Sequence, residues 1–151
     1  MQPGDRVVVQ QPCYQSLYSV AQDRGIEVVP WRPVEGERWS YDLDELETLL
    51  TRPTRLLVVN SPHNPTGCTF DVGQWERLHA ACVRRGAWLL SDEVYRGLET
   101  ELPTGPAAWT AGAHAISVGD VSKSLGMPGL RVGWAATSDA TLRAALEVVK
   151  D

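Results

Sequence analysis

Short apolar runs, rich in β-branched residues, recur between segments of helical period, and few folds accept that alternation. The runs are RVVVQ (6–10), IEVVPW (26–31), RLLVVN (55–60), AWLLSDE (87–93) and AISVGD (115–120). The segments between them differ in kind. Residues 15–24 read as a helix ended by Gly25. Residues 41–50 place Leu43, Leu46, Leu49 and Leu50 at helical spacing behind Asp42, a natural N-cap. Residues 71–85 form a third helical segment, stopped by Gly86. RVGWAA (131–136) reads as a last strand, and residues 137–150 as a helix capped by Ser138 or Asp139. Strands separated by helices of about ten to fifteen residues imply βαβ units. The expected fold class is α/β: a three-layer α/β/α arrangement with a mainly parallel sheet. A length of 151 residues suits one domain. The Pro-, Gly- and Ala-rich stretch 101–112 reads as a loop within it.

In open parallel sheets, sites form at the carboxyl ends of the strands. The polar residues collect there. Asn60 and Asn64 follow one strand, Ser91, Asp92 and Tyr95 end or follow the next, and Asp120, Ser122 and Lys123 follow a third. Lys123 lies in GDVSKSLGMPGLRVGW (119–134), a run of small, apolar and glycine residues. Of 14 Lys and Arg residues only Lys123 and Lys150 are lysines, so arginine carries nearly all the positive charge. A lysine kept in apolar sequence suggests amine chemistry rather than solubility.

Other function classes find little support. A net charge of −5 and an isoelectric point near 5.2 give no basic footprint for nucleic acid. No apolar run approaches the ~20 residues of a membrane span, and no basic amphipathic helix suits a membrane surface. Cys13, Cys68 and Cys82 lack paired spacing, and the three histidines are scattered, so neither a disulfide framework nor a metal centre is expected. Reduced thiols and the absence of a leader pattern suggest a cytoplasmic protein.

An amine at the mouth of a parallel sheet suits a Schiff base with a carbonyl compound. A carboxylate nearby is either its ion-pair partner or the holder of a proton on a heteroaromatic nitrogen. Pyridoxal 5'-phosphate needs the second, because its protonated pyridine is the electron sink for carbanion chemistry. Its phenolate oxygen calls for donors such as a Tyr hydroxyl and an Asn amide. Its phosphate calls for Arg and backbone N–H groups, and its flat ring for an aromatic face.

Three motifs carry a family resemblance: NSPHNPTG (60–67), SDEVY (91–95) and SKSLGMPGLRVGW (122–134). With the opening PGDRVVVQQPCYQSLY, the chain resembles the class I/II aminotransferases, pyridoxal-phosphate enzymes of fold type I. The resemblance runs over the whole chain, in order and at family-like separations. It implies that Lys123 forms the Schiff base with the cofactor and later moves the α-proton as a base. Asp92 pairs with the pyridine nitrogen. Tyr95 and Asn64 hydrogen-bond the phenolate oxygen, and Asn64 also reaches the substrate carboxylate. Arg131 holds the phosphate and Tyr14 stacks on the ring. Gly126, Gly129 and Gly133 let the backbone approach the cofactor closely. The substrates implied are an amino acid and a 2-oxo acid, and the complete enzyme is implied to be a homodimer.

Two departures qualify the resemblance. The family often has a phosphate-binding serine three residues before the lysine; here that position is Asp120, whose charge would repel a phosphate. Ser122, or a group outside this chain, is the expected substitute. The chain also matches only the central part of the family's large domain. The N-terminal segment and the C-terminal small domain, with the arginine for the substrate carboxylate, have no counterpart in residues 1–151. The motifs bind a cofactor without selecting which substrate bond breaks. A β-lyase, a decarboxylase, a cyclising biosynthetic enzyme or an inactive truncated polypeptide fits the same residues. His63 reads as a solvated or loop-packing histidine. Arg131 has Asp120 and Glu93 as alternative ion-pair partners.

Overall fold

The computed structural model describes residues 1–100 and 105–150. Every run read as a strand is one: β1 (Arg6–Gln10), β2 (Glu27–Trp31), β3 (Leu56–Asn60), β4 (Trp88–Asp92), β5 (Ala115–Asp120) and β6 (Gly133–Ala136). The helices are α1 (Ser16–Asp23), α2 (Leu43–Leu49), α3 (Val72–Arg85) and α4 (Ala140–Lys150). Two short 3-10 turns, Ala108–Ala111 and Pro128–Leu130, lie in stretches that carry no periodic signal. Residues 101–104 of the expected 101–112 loop lie outside the described residues.

The six strands form one sheet in the order β2-β1-β3-β4-β5-β6. The first five are parallel and β6 runs antiparallel to β5. Register aligns the carboxyl ends: Asn60 sits opposite Asp92, and Asp92 opposite Val118. Side chains two apart share a face of a strand, so Asp120 projects on the same face as Asp92.

Each face of the sheet has its own apolar layer. On one, Val8, Trp31, Leu57, Val59 and Leu89 pack with Leu43 and Leu46 of α2 and Trp75, Leu78 and Cys82 of α3. On the other, Val7, Val9, Ile26 and Val58 pack against Leu17, Tyr18 and Ala21 of α1. Both faces of β1 and β3 are therefore covered, which is why these strands are almost wholly apolar. The cap signals hold. Asp42 accepts from the N–H of Asp44. Asp71 and Gln74 form a reciprocal capping box on α3. Gly86 closes α3 in the left-handed conformation. Asp139, one of the two cap candidates, accepts from Leu142 N–H at the start of α4.

Candidate active site

The carboxyl edge of the sheet gathers the predicted residues because four adjacent parallel strands end there. Tyr14 follows β1, Asn64 follows β3, Asp92 ends β4 with Tyr95 one turn on, and Asp120, Ser122 and Lys123 end or follow β5. Arg131 precedes β6, whose first residue Gly133 pairs with Asp120. The antiparallel turn of the chain thus returns it to the same edge.

Among the described residues, one hydrogen bond joins two side chains of this group. The Asn64 side-chain amide donates to the Tyr95 hydroxyl at 3.4 Å, so two donors suited to one oxygen stand together. The Asp92 carboxylate accepts from Val94 N–H at 3.1 Å. Burial raises the Asp92 pKa above the usual carboxylate range. The Val94 hydrogen bond works against that, and the charges of Asp120 and Glu93 add to it. A carboxylate so placed gains by meeting a cationic N–H.

Asp120 and Arg131 both make local contacts. The Asp120 carboxylate accepts from Ser122 N–H at 2.7 Å, so it folds back on its own loop. Arg131 pairs with neither Asp120 nor Glu93. It donates to the Pro128 carbonyl at 3.3 Å, and Glu93 instead faces Arg96 at 3.7 Å. Arg131 holds a left-handed backbone, φ 52°, uncommon for a residue with a Cβ. Lys123 is exposed, and among the described residues its amine has no hydrogen-bond or ion-pair partner. Tyr14 is 68% exposed, its ring free of packing partners in the cores.

The three glycines of the loop serve different ends. Gly126 has φ 63°. Gly133 lies so close to β5 that a Cβ would stand 3.1 Å from the Gly119 carbonyl oxygen. Its close approach is therefore to a neighbouring strand. Gly129 has open space around it.

Sequence reasoning missed what stands behind Asn64. His63 is buried, 3% exposed, with Nδ1 2.7 Å from Thr66 Oγ1 and Nε2 3.2 Å from the Tyr41 hydroxyl. Burial lowers its pKa to about 4, so the ring is neutral near pH 7. A cleft of about 570 Å³ adjoins this turn, lined by Trp39, Tyr41, Thr66, Cys68, Phe70 and Gln74 among others. None of the eight predicted site residues lines it. Those residues lie on the open edge of the sheet instead.

Fold and site together define a sheet that presents an unpaired amine, a carboxylate and paired amide and phenol donors along its carboxyl edge. The chain belongs to the class I and II aminotransferase family, whose model matches residues 1–151. It is 37% identical to an arginine–pyruvate transaminase of Pseudomonas aeruginosa over 97% of this chain and 38% of that protein. It is 39% identical to capreomycidine synthase of Streptomyces vinaceus over 86% of this chain and 33% of that protein. Among solved structures, a PLP-dependent aminotransferase from Streptococcus suis superposes with TM-score 0.84 at 38% identity, covering 91% of this chain and 36% of that one. The chain therefore spans under two-fifths of the length of these relatives. The family's cofactor is pyridoxal phosphate.

Proposed function

We propose that residues 1–151 are the cofactor-binding core of a pyridoxal-phosphate-dependent aminotransferase, and that the complete enzyme moves an amino group between an amino acid and a 2-oxo acid. The observation that carries this reading is the meeting of Asn64 and Tyr95, 3.4 Å apart, beside the strand end that bears Asp92. The donor set fits the group. Asp92 is buried enough to prefer a cationic partner, the two donors suit a phenolate oxygen, and Lys123 offers an amine with no competing carboxylate. Bound, the cofactor supplies an electron sink for the carbon next to the substrate nitrogen.

The chain's own residues then have distinct tasks. Lys123 Nζ would hold the cofactor through its carbonyl carbon and, when free, would serve as the base that moves the proton on the substrate carbon bearing the amino group. Asp92 keeps a proton on the ring nitrogen. Tyr95 and Asn64 hold the phenolate oxygen, Arg131 takes the phosphate with Ser122, and Tyr14 covers the ring. Asp120 orders the loop through Ser122 N–H. The partners are small molecules; nucleic acid and membrane have no place in this reading. The complete protein is read as a cytoplasmic homodimer, with residues 1–151 forming part of its large domain.

Similarity to capreomycidine synthase favours a second reading, a biosynthetic enzyme that remodels an amino acid. Incubating the protein and cofactor with ¹⁵N-labelled amino acids, with and without 2-oxo acids, separates the two. Label appearing in a new amino acid only when a 2-oxo acid is present supports transamination. Products formed equally well without one overturn it.

A further inference from the structure

Asn60, the last residue of β3, joins the two segments that carry the proposed ring contacts. Its side chain is 3% exposed and both ends of its amide are used. Nδ2 donates to the Asp92 carbonyl oxygen at 2.9 Å. Oδ1 accepts from Asn64 N–H at 2.8 Å. Its backbone is held as well, because Asn60 N–H donates to Gln10 Oε1 at 2.8 Å at the end of β1. The Asp92 carbonyl also accepts from Ser61 N–H at 3.0 Å, so two donors fix the plane of the peptide that follows Asp92. On its other side, the Asp92 carboxylate is oriented by Val94 N–H.

Burying an amide here is costly unless both its ends are paired. The neighbouring core positions of β3, Leu57 to Val59, are apolar, so an apolar residue would satisfy packing alone. What Asn60 adds is a fixed distance between the Asn64 turn and the end of β4. Resting on the cofactor-binding reading above, we infer that Asn60 is a positioning residue. It sets the Asn64 amide relative to the Asp92 carboxylate, so that both meet one cofactor ring without rearrangement.

Two variants separate the two bonds. Asn60→Ala removes both. Asn60→Asp keeps an oxygen for Asn64 N–H and removes the donor to the Asp92 carbonyl. In the ¹⁵N-labelled chain without cofactor, amide exchange at Asn64 should speed by about tenfold or more in Asn60→Ala and stay within about threefold of wild type in Asn60→Asp. Val58 and Leu90 amides should keep their rates in both, which reports an intact sheet. Rescue at Asn64 by Asp alone is a signature that general loss of stability does not give. In a second measurement, titration with pyridoxal phosphate, both variants should bind about tenfold or more weakly. The pH midpoint of the bound cofactor's absorbance should also move. Unchanged Asn64 exchange in Asn60→Ala, equal acceleration at Val58 and Leu90, or wild-type affinity and midpoint in both variants overturns the inference. Failure of the wild-type chain to take up pyridoxal phosphate overturns the proposed function instead, and the exchange measurement still decides the role of Asn60.

Discussion

At the scale of single residues, His63 gives the sharpest consequence. It is neutral because burial opposes charge, with a pKa near 4 against about 6.5 in an unfolded chain. Between those values the unfolded state binds the extra proton, so folding stability rises with pH there and falls on acidification. The loss attributable to His63 is about 2 kcal/mol at pH 5 relative to pH 7.5. Asp92 works in the opposite sense, because its raised pKa penalises folding where the carboxyl is charged. The His63 part is therefore read as the difference between wild type and His63→Gln in urea unfolding at the two pH values. The variant should lose about 2 kcal/mol less on acidification; parallel behaviour would mean that His63 is already solvated. Residues named by motif, Lys123, Asp92, Tyr95 and Asn64, were legible because each motif fixes a type and a spacing. Asn60 and His63 sit inside the same motif, yet their parts depend on Asp92, Tyr41 and Gln10, which lie far away in the chain and meet them only in the folded sheet.

At the scale of elements, caps and periodicity carried the reading. The Asp71 carboxylate accepts from Gln74 N–H at 2.8 Å while Gln74 Oε1 accepts from Asp71 N–H at 2.9 Å. Asp71→Ala removes half of that box and should cost about 1 kcal/mol, measured as a lower urea midpoint with an unchanged slope. A cost near zero would mean that water replaces the cap fully. Strand boundaries fell within a residue or two of the apolar runs, since a strand buried on both faces must be apolar along its length. Strand order did not follow from the runs, because it depends on which helices cross over which face. Nor did the reversal at β6. RVGWAA has no feature that distinguishes a parallel from an antiparallel partner, and the return is set by the Pro128–Leu130 turn and the close seat of Gly133 against Gly119.

At the scale of the whole molecule, the two faces of the sheet and its β6 side are unequally covered. Leu125, Met127, Leu130, Val132 and Trp134 are each more than half exposed and near one another in sequence. Exposed apolar side chains grouped in this way favour association. Isolated residues 1–151 should self-associate in a concentration-dependent way, measured by light scattering, and Leu130→Glu with Trp134→Glu should shift the equilibrium toward monomer. A chain that stays monomeric at high concentration would show that these side chains pack elsewhere in solution. The same edge carries Lys123 and Arg131, so surface and site are coupled at this scale.

In the proposed function, Lys123 stands at a formed cofactor site. Purified protein mixed with pyridoxal phosphate and reduced with borohydride, then mapped by peptide mass, tests it directly, since the chain has only two lysines. One modified residue is expected, Lys123, saturating at low cofactor concentration, absent in Lys123→Ala and strongly weakened in Asp92→Ala. Equal slow labelling of Lys123 and Lys150, or labelling of Lys123 indifferent to Asp92→Ala, would contradict it.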